Sequence, residues 1–382
     1  MLYRTFNGLK ISALGLGTMR LPVIDRQEDR IDTAKAEVMI DYALAHGINY
    51  IDTAWGYHGG NAEQVVGTIL KKYPRDSYYL ATKFPGYDLA NMDKVEEIFE
   101  EQLKRTGMEY FDFYLIHNVI ELNIDEYLNP QHGILPYLRH QKETGRIRHL
   151  GFSAHGSVET IRRFLEVYGA DMEFCQLQIN WADWDFQDAK AKVALIREYH
   201  LPIWVMEPMR GGKLANLEPE DVQKLKRLRP TEHIAAWAFR FLQSLPDAVV
   251  TLTGASSLKQ LAENIRCMSE EKPTTAKENE VLFAIAKAMD KGVPCTGCGY
   301  CLDHCPQKLN IPLLLALYNE ELYTGGGFLP FLGIAALSPD MHPDACTSCR
   351  SCTTVCPQQL DIPAYLSDFT ERLKIPPTVI TE

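Results

Sequence analysis

Over about the first 270 residues, short apolar runs alternate with amphipathic segments. The runs Leu14–Gly17, Ile48–Asp52, Tyr78–Thr82, Phe113–His117, His149–Ser153, Phe174–Ile179, Ile203–Met206 and Val249–Thr253 are rich in β-branched and aromatic residues and mostly lack polar alternation. That pattern predicts parallel strands covered on both faces. Helical patterns fall between them: Ala34–Ala45, Ala62–Lys72, Lys94–Thr106, Val158–Tyr168, Asp188–Tyr199 and His233–Leu245. Eight such β/α units in a stretch of this size predict a (β/α)8 TIM barrel, an α/β fold. Leu2–Ile11, with Asn7-Gly8 at its centre, predicts a hairpin capping one end. A doubly wound dinucleotide fold is the structural rival. Its G-x-G-x-x-G signature is incomplete here, because Gly15-Leu16-Gly17 is followed by Thr18, Met19 and Arg20.

From about Ser269 the pattern changes. A charged stretch leads into a helical pattern, Glu278–Lys291, and then Gly292-Val293-Pro294. We therefore divide the chain into a barrel (1–275), a connecting helix or linker (276–292) and a third region (293–382). The third region contains Asn310-Ile311-Pro312 and Asp361-Ile362-Pro363, each after a Cys-Pro and before a helical run (Leu313–Leu322 and Ala364–Leu373). This is an internal duplication of a loop followed by a helix.

Composition narrows the function. The chain has 39 basic and 50 acidic residues, net −11, a poor match to a phosphate backbone, so nucleic-acid binding is not expected. The longest apolar stretch, Gly325 to Leu337, is interrupted by glycine and Pro330, so no membrane span is expected. MLYRTFNGLK lacks a hydrophobic signal core, which predicts a cytoplasmic protein. Eight of the ten cysteines lie after residue 294. A disulfide scaffold would be short and secreted, so metal binding is the better expectation. Cys175 and Cys267 lie in apolar patterns and are expected to be buried and inert.

Barrel active sites sit at the C-terminal ends of the strands. Successive predicted strands end in Asp52, Lys83 and His117, with Tyr57 on the loop after Asp52. Singly, Asp52 could cap a helix, Lys83 could be solvated and His117 could be a core histidine. Together they fit proton donation to a carbonyl. A free tyrosine, with pKa near 10, is a weak acid at neutral pH. Lys83 is expected to lower that value, Asp52 to hold the ammonium, and neutral His117 to orient and polarise the substrate oxygen. Trp55, Trp181 and Trp184 would line the substrate pocket or fill the barrel mouth.

The first 270 or so residues resemble the aldo-keto reductase family in Gly15-Leu-Gly-Thr18, Asp52-Thr-Ala-Trp-Gly-Tyr57, Ala81-Thr-Lys83, Leu115-Ile-His117, Gly151-Phe-Ser153, Gln176-Leu-Gln-Ile-Asn180, Glu207-Pro-Met-Arg-Gly-Gly212 and Gly254-Ala-Ser with Glu263-Asn264. The resemblance implies a catalytic tetrad of Asp52, Tyr57, Lys83 and His117, with Tyr57 as acid/base. It implies binding of NAD(H) or NADP(H) by Gly17, Thr18, Ser153, Gln176, Met206, Pro208, Met209, Gly211, Gly212, Gly254, Lys259, Glu263 and Asn264. Three positions depart from the family pattern. Ala154 and His155 replace the asparagine after the strand-five serine, and Met206 replaces a tyrosine that stacks on nicotinamide. The cations for a 2′-phosphate are thinned to Lys259.

Cys295 to Pro306 and Cys346 to Pro357 each spell C-x-x-C-x-x-C-x-x-x-C-P, the bacterial ferredoxin run. The longer connector between them resembles helical dicluster ferredoxin-like domains of larger redox enzymes. The resemblance implies two [4Fe–4S] clusters with crossed ligation: Cys295, Cys298, Cys301 and Cys356 for one, and Cys346, Cys349, Cys352 and Cys305 for the other. A zinc ribbon would leave the triple spacing and the proline unexplained.

The expected activity is NAD(P)H-dependent interconversion of a small-molecule carbonyl and alcohol, with a redox protein as a possible partner for the clusters. The rivals are an electron-transfer protein whose barrel is a docking or regulatory platform, and clusters that only staple the tail.

Overall fold

The computed structural model describes residues 1–290, 292–295, 297–325 and 328–375. Lys291, the expected end of the linking helix, and residues 376–382 of the third region lie outside the described residues. The chain forms two compact units, one of residues 1–209 and 214–282, the other of 210–213 and 283–382.

The first unit opens with a hairpin, β1 (Tyr3–Phe6) and β2 (Leu9–Ser12). Asn7 and Gly8 both take positive φ, at 47° and 82°, as a tight two-residue hairpin turn requires. The strands β3 (Leu14–Gly17), β4 (Tyr50–Asp52), β5 (Tyr79–Phe84), β6 (Phe111–Val119), β7 (Ile147–Ala154), β8 (Phe174–Gln178), β9 (Ile203–Met206) and β10 (Ala248–Thr253) follow. All eight pair in parallel and close a barrel in chain order, with β10 returning to β3.

Inside the barrel lie Tyr50, Phe113, Leu115, Phe174, Trp204, Val250 and Leu252. Phe6 from the hairpin joins this cluster, with its ring centroid 5.7 Å from Phe113 and 5.0 Å from Trp204. The hairpin thus plugs the barrel and leaves the opposite rim, at the strands' C-terminal ends, for chemistry. Small residues shape the layers: a Cβ on Gly15 would meet Tyr50, Val250 and Leu252 at 2.9 Å.

The expected strands all form. Where boundaries move, they do so by one or two residues; some strands lose a terminal residue or two, and others run past the apolar run by pairing with a neighbour, as β6 does through Asn118 to Val119. The helices Ala62–Leu70 and Val158–Tyr168 lie close to expectation. His233–Leu245 shortens to a helix over Ala236–Gln243.

In the second unit the helices Ile311–Thr324 and Ile362–Leu373 pack through Leu314, Leu315, Tyr318, Leu366 and Phe369. Each carries proline in its first turn, where the missing N–H costs no helical bond. A further helix, Phe328–Ala335, occupies the apolar stretch broken by Pro330. The duplication extends to backbone conformation. Gly297 and Ser348, Gly299 and Arg350, and Lys308 and Gln359 hold matching places in the two cysteine loops. All six take positive φ: 67° and 55°, 79° and 63°, 56° and 53°. Ser348 and Arg350 hold, at a steric cost, a turn that glycine adopts freely in the first loop.

Candidate active site and cysteine cradles

The ends of β4, β5 and β6 bring Asp52, Lys83 and His117 to one rim, and Tyr57 begins the turn Tyr57–Gly60 after β4. Lys83 and Asp52 are buried, with side chains 1% and 2% exposed. The Lys83 ammonium donates to Asp52 Oδ1 at 2.5 Å, to the Thr53 carbonyl at 2.7 Å and to Tyr57 Oη at 3.4 Å. An ammonium has three donors and no acceptor, so this set uses all three and fixes the sense of the last bond. Tyr57 Oη accepts from Lys83, and its own proton is left to point elsewhere.

The His117 ring lies edge-on to Tyr57, with centroids 6.2 Å apart, and its Nδ1 is buried without a hydrogen-bond partner among the described residues. Burial first, then the Lys83 charge and His155, hold His117 well below the ordinary imidazole range, so it is neutral at pH 7. Desolvation works against the Lys83 ammonium, but Asp52 and Tyr57 more than offset it and raise its pKa. Burial also lifts Asp52, against the pull of Lys83. At Tyr57 the expected downward pull of Lys83 is present but is not the largest effect. Burial raises it, Lys83 pulls it down by less, and its pKa lies above the ordinary phenol value. The phenol is therefore protonated at neutral pH.

A second layer fixes this group. Glu63, fully buried, accepts from Thr82 Oγ1 at 2.6 Å and from Gln102 Nε2 at 2.7 Å. Gln102 Nε2 also donates to the Lys83 carbonyl at 3.0 Å. Thr18 is fully buried, and its N–H and hydroxyl both donate to the Asp52 carbonyl at 2.9 Å. The structure thus gives Thr18 a positioning contact, beyond the cofactor role that the resemblance implied.

The expected nucleotide residues spread along the rim. Ser153 is the penultimate residue of β7, and its Oγ accepts the Asn118 N–H at 2.8 Å. Gln176 on β8 is buried, and its Oε1 has no hydrogen-bond partner among the described residues. This orphaned acceptor fits an amide donor such as the nicotinamide carboxamide. Met206 ends β9, and Pro208 and Met209 follow it; Gly211 and Gly212 fall in the segment 210–213, which belongs to the second unit. After β10, Gly254 and Lys259 are exposed, Glu263 is half-buried, and Asn264 Nδ2 donates to Thr253 Oγ1 at 2.9 Å. Arg20, which sequence reasoning passed over, runs beside Gly254, where a Cβ would meet its Cδ at 3.4 Å, and pairs with Glu207 at 3.2 Å. Lys259 is therefore not alone as a cation at that end.

Trp181, just after β8, is buried, 1% exposed. Trp55 is half-buried beneath the Arg105 guanidinium, 3.6 Å from its ring centroid, and Trp184 packs edge-on to Phe241. Cys175 and Cys267 are buried, and desolvation raises both thiols, the former well above the usual range.

The second unit holds two cavities lined by cysteine. One is lined by Cys295, Cys298, Cys301 and Cys356, the other by Cys305, Cys346, Cys349 and Cys352. Each cradle takes three thiols from one loop and the fourth from the other. Apolar residues complete the walls, among them Leu315, Leu360 and Ile362 in the first and Leu309 and Leu366 in the second. Four thiols with apolar neighbours are the donor set that a [4Fe–4S] group takes.

A barrel with this rim and a cysteine-rich second unit defines a redox protein in two parts. Residues 13–285 match the model of the aldo/keto reductase family, and the chain belongs to that family. Residues 293–360 match a 4Fe-4S dicluster domain. Among curated relatives, the chain is 27% identical over 302 residues to a probable aldo-keto reductase 1 of Glycine max, covering 69% of this chain and 82% of that protein. It is 25% identical over 310 residues to the NADH-specific methylglyoxal reductase of Escherichia coli, covering 68% and 91%. Among solved structures, the holo form of aldo-keto reductase AKR11C1 from Bacillus halodurans superposes with a TM-score of 0.59 at 25% identity, covering 75% of this chain and 97% of that one. An aldo-keto reductase from Klebsiella pneumoniae in complex with NADPH shares the fold, with TM-score 0.58, 20% identity and coverage of 75% and 96%.

Proposed function

We propose that the protein is a nicotinamide-dependent carbonyl reductase whose second unit carries two [4Fe–4S] clusters. The observation that carries the reading is the single rim on which Lys83 donates to both Asp52 and Tyr57 while His117 lies against Tyr57. Bound nicotinamide supplies or accepts hydride at its C4. The chain's own residues do the rest. Tyr57 Oη donates a proton to the carbonyl oxygen in reduction and takes it back in oxidation. Lys83 stabilises the phenolate left behind, and Asp52 keeps the ammonium in place. Neutral His117 donates a second hydrogen bond to the same oxygen and so polarises the carbonyl. Ser153 and Gln176 would hold the carboxamide of the nicotinamide.

The clusters exchange one electron at a time, whereas the nicotinamide exchanges a hydride. No flavin motif is present to join the two, so we give the clusters no step in carbonyl reduction and assign them to a redox protein partner or to the integrity of the tail. Among the described residues no helix is long and apolar enough to cross a membrane.

Calorimetric titration of anaerobically purified protein with NADH and with NADPH, followed by aldehyde reduction, tests the reading. Binding with a weak preference, or one leaning to NADH, is expected, because cations near the adenine end are few. Binding of neither nucleotide overturns the reading. A preference for NADPH beyond about a hundredfold, or ~2.7 kcal/mol, overturns the assignment of the adenine end.

A further inference from the structure

A second phenol stands at the reacting centre. Tyr87 lies on the loop after β5, four residues beyond Lys83, and is half-buried. Its ring stands edge-on to His117 at 86°, with centroids 5.3 Å apart. The imidazole is thus flanked by two tyrosines, since Tyr57 approaches it at 79°. The Tyr87 hydroxyl sits against Gly56, the residue before Tyr57; a Cβ built on Gly56 would lie 2.3 Å from it. Any side chain at position 56 would therefore push this hydroxyl away from the rim.

The loop that carries Tyr87 is fixed from several sides. Gly86 packs so closely on Tyr127 that a Cβ would lie 2.3 Å from that hydroxyl, and Tyr127 Oη donates to the His117 carbonyl at 2.6 Å. Asn123 Nδ2 donates to the Gly86 carbonyl and Asn91 Nδ2 to the Pro85 carbonyl, each at 3.1 Å. Tyr87 is thereby held in register with His117. Its Oη makes no hydrogen bond within the described residues, while burial and the neighbouring Tyr57 push its pKa up to about 12, so it is a protonated donor at neutral pH. A rigid donor with no protein acceptor, set beside the group that protonates a carbonyl, is a recognition element for a second polar atom close to that carbonyl.

We infer that the Tyr87 hydroxyl binds an oxygen on the carbon next to the reacting carbonyl, so that the preferred substrates are 2-oxoaldehydes or 2-hydroxyaldehydes rather than simple aldehydes. This rests on the carbonyl-reductase reading above. Tyr87 is a specificity-determining residue in this account, not the proton donor. Simple aldehydes would reach Tyr57 and His117 equally well but leave the Tyr87 hydroxyl unpaired.

The test compares wild type and Tyr87→Phe with methylglyoxal, lactaldehyde and propanal, three-carbon aldehydes with and without the second oxygen. For the variant, kcat/KM is expected to fall about three- to tenfold with methylglyoxal and lactaldehyde, the worth of one neutral hydrogen bond. It is expected to change less than twofold with propanal, and the affinity for NADH is expected to stay the same. Equal effects on all three aldehydes, or no effect on any, overturn the inference while leaving the reductase reading intact. A wild-type protein that binds the nucleotide but reduces none of the three overturns both.

Discussion

Replacing Lys83 with methionine separates what the buried ion pair does for stability from what it does for chemistry. The ammonium and the Asp52 carboxylate are both almost fully buried and lie 2.5 Å apart. Lys83→Met keeps most of the side-chain volume but leaves the carboxylate with no cation. Breaking a buried pair in this way costs about 3–5 kcal/mol, against about 0–1 for an exposed pair. Burial already raises Asp52, and Lys83 is the neighbour that opposes it, so in the variant Asp52 titrates higher still. A raised folded-state pKa favours the folded protein at low pH and penalises it as pH climbs through that value. The deficit of Lys83→Met is therefore expected to be large at pH 8 and to shrink towards pH 5. Adding Asp52→Asn removes the orphaned charge and restores much of the stability, but no activity, because nothing stabilises the Tyr57 phenolate. Urea unfolding followed by tryptophan fluorescence reads this out, since Trp55, Trp181, Trp184, Trp204 and Trp237 all lie in the barrel unit. A single variant that loses less than about 1 kcal/mol, or a double variant no more stable than the single, would refute the reasoning.

Purified protein is expected to hold about eight iron atoms per chain, two clusters of four. With crossed ligation, Cys305→Ala combined with Cys349→Ala removes one cluster and leaves about four irons, whereas Cys305→Ala with Cys298→Ala removes both. The reverse pattern in an iron assay contradicts the crossing. Chelation of the iron is expected to expose the chain after about Val293 to limited proteolysis and spare the barrel, because the thiolates of both loops would then have no common centre. Glu173 is pushed up by burial, but His149 and Lys142 bring it down to about 2. A depressed carboxylate contributes stability above its unfolded value, here near 4.5, and loses it as pH falls towards 2. Glu173→Gln is therefore expected to lower barrel stability at pH 7 and to flatten its decline between pH 5 and 2, and an unchanged acid profile would count against the pair.

The sequence pattern shows the architecture because parallel strands leave uninterrupted apolar runs, and a polar residue that ends such a run has few places to go but the rim. Asp52, Lys83 and His117 were legible for that reason. The four-cysteine phrases were legible because ligand spacing is local. What was hidden depends on depth and on neighbours distant in the chain. The ammonium beside Tyr57 could be anticipated, but not that burial would outweigh it. Thr18 reads as part of a Gly-rich phrase, yet it holds the Asp52 carbonyl. Glu63 lies in an ordinary helical pattern and becomes a fully buried acceptor only because Thr82 and Gln102 meet it from other elements. Tyr87 follows Pro85-Gly86 in what reads as a turn, and nothing local says that its ring faces His117. Arg20 was missed for a like reason, since its neighbour Gly254 is on the far side of the chain.

In the proposed reaction Tyr57 carries the proton of nicotinamide-dependent carbonyl reduction. The most direct measurement is the turnover of Tyr57→Phe with NADH and an aldehyde, beside the affinity of the same variant for NADH. The substitution removes one hydroxyl and keeps the ring that packs on His117. The variant is expected to lose about 10² to 10⁴ in kcat with nucleotide affinity unchanged. A variant that turns over at the wild-type rate would contradict it.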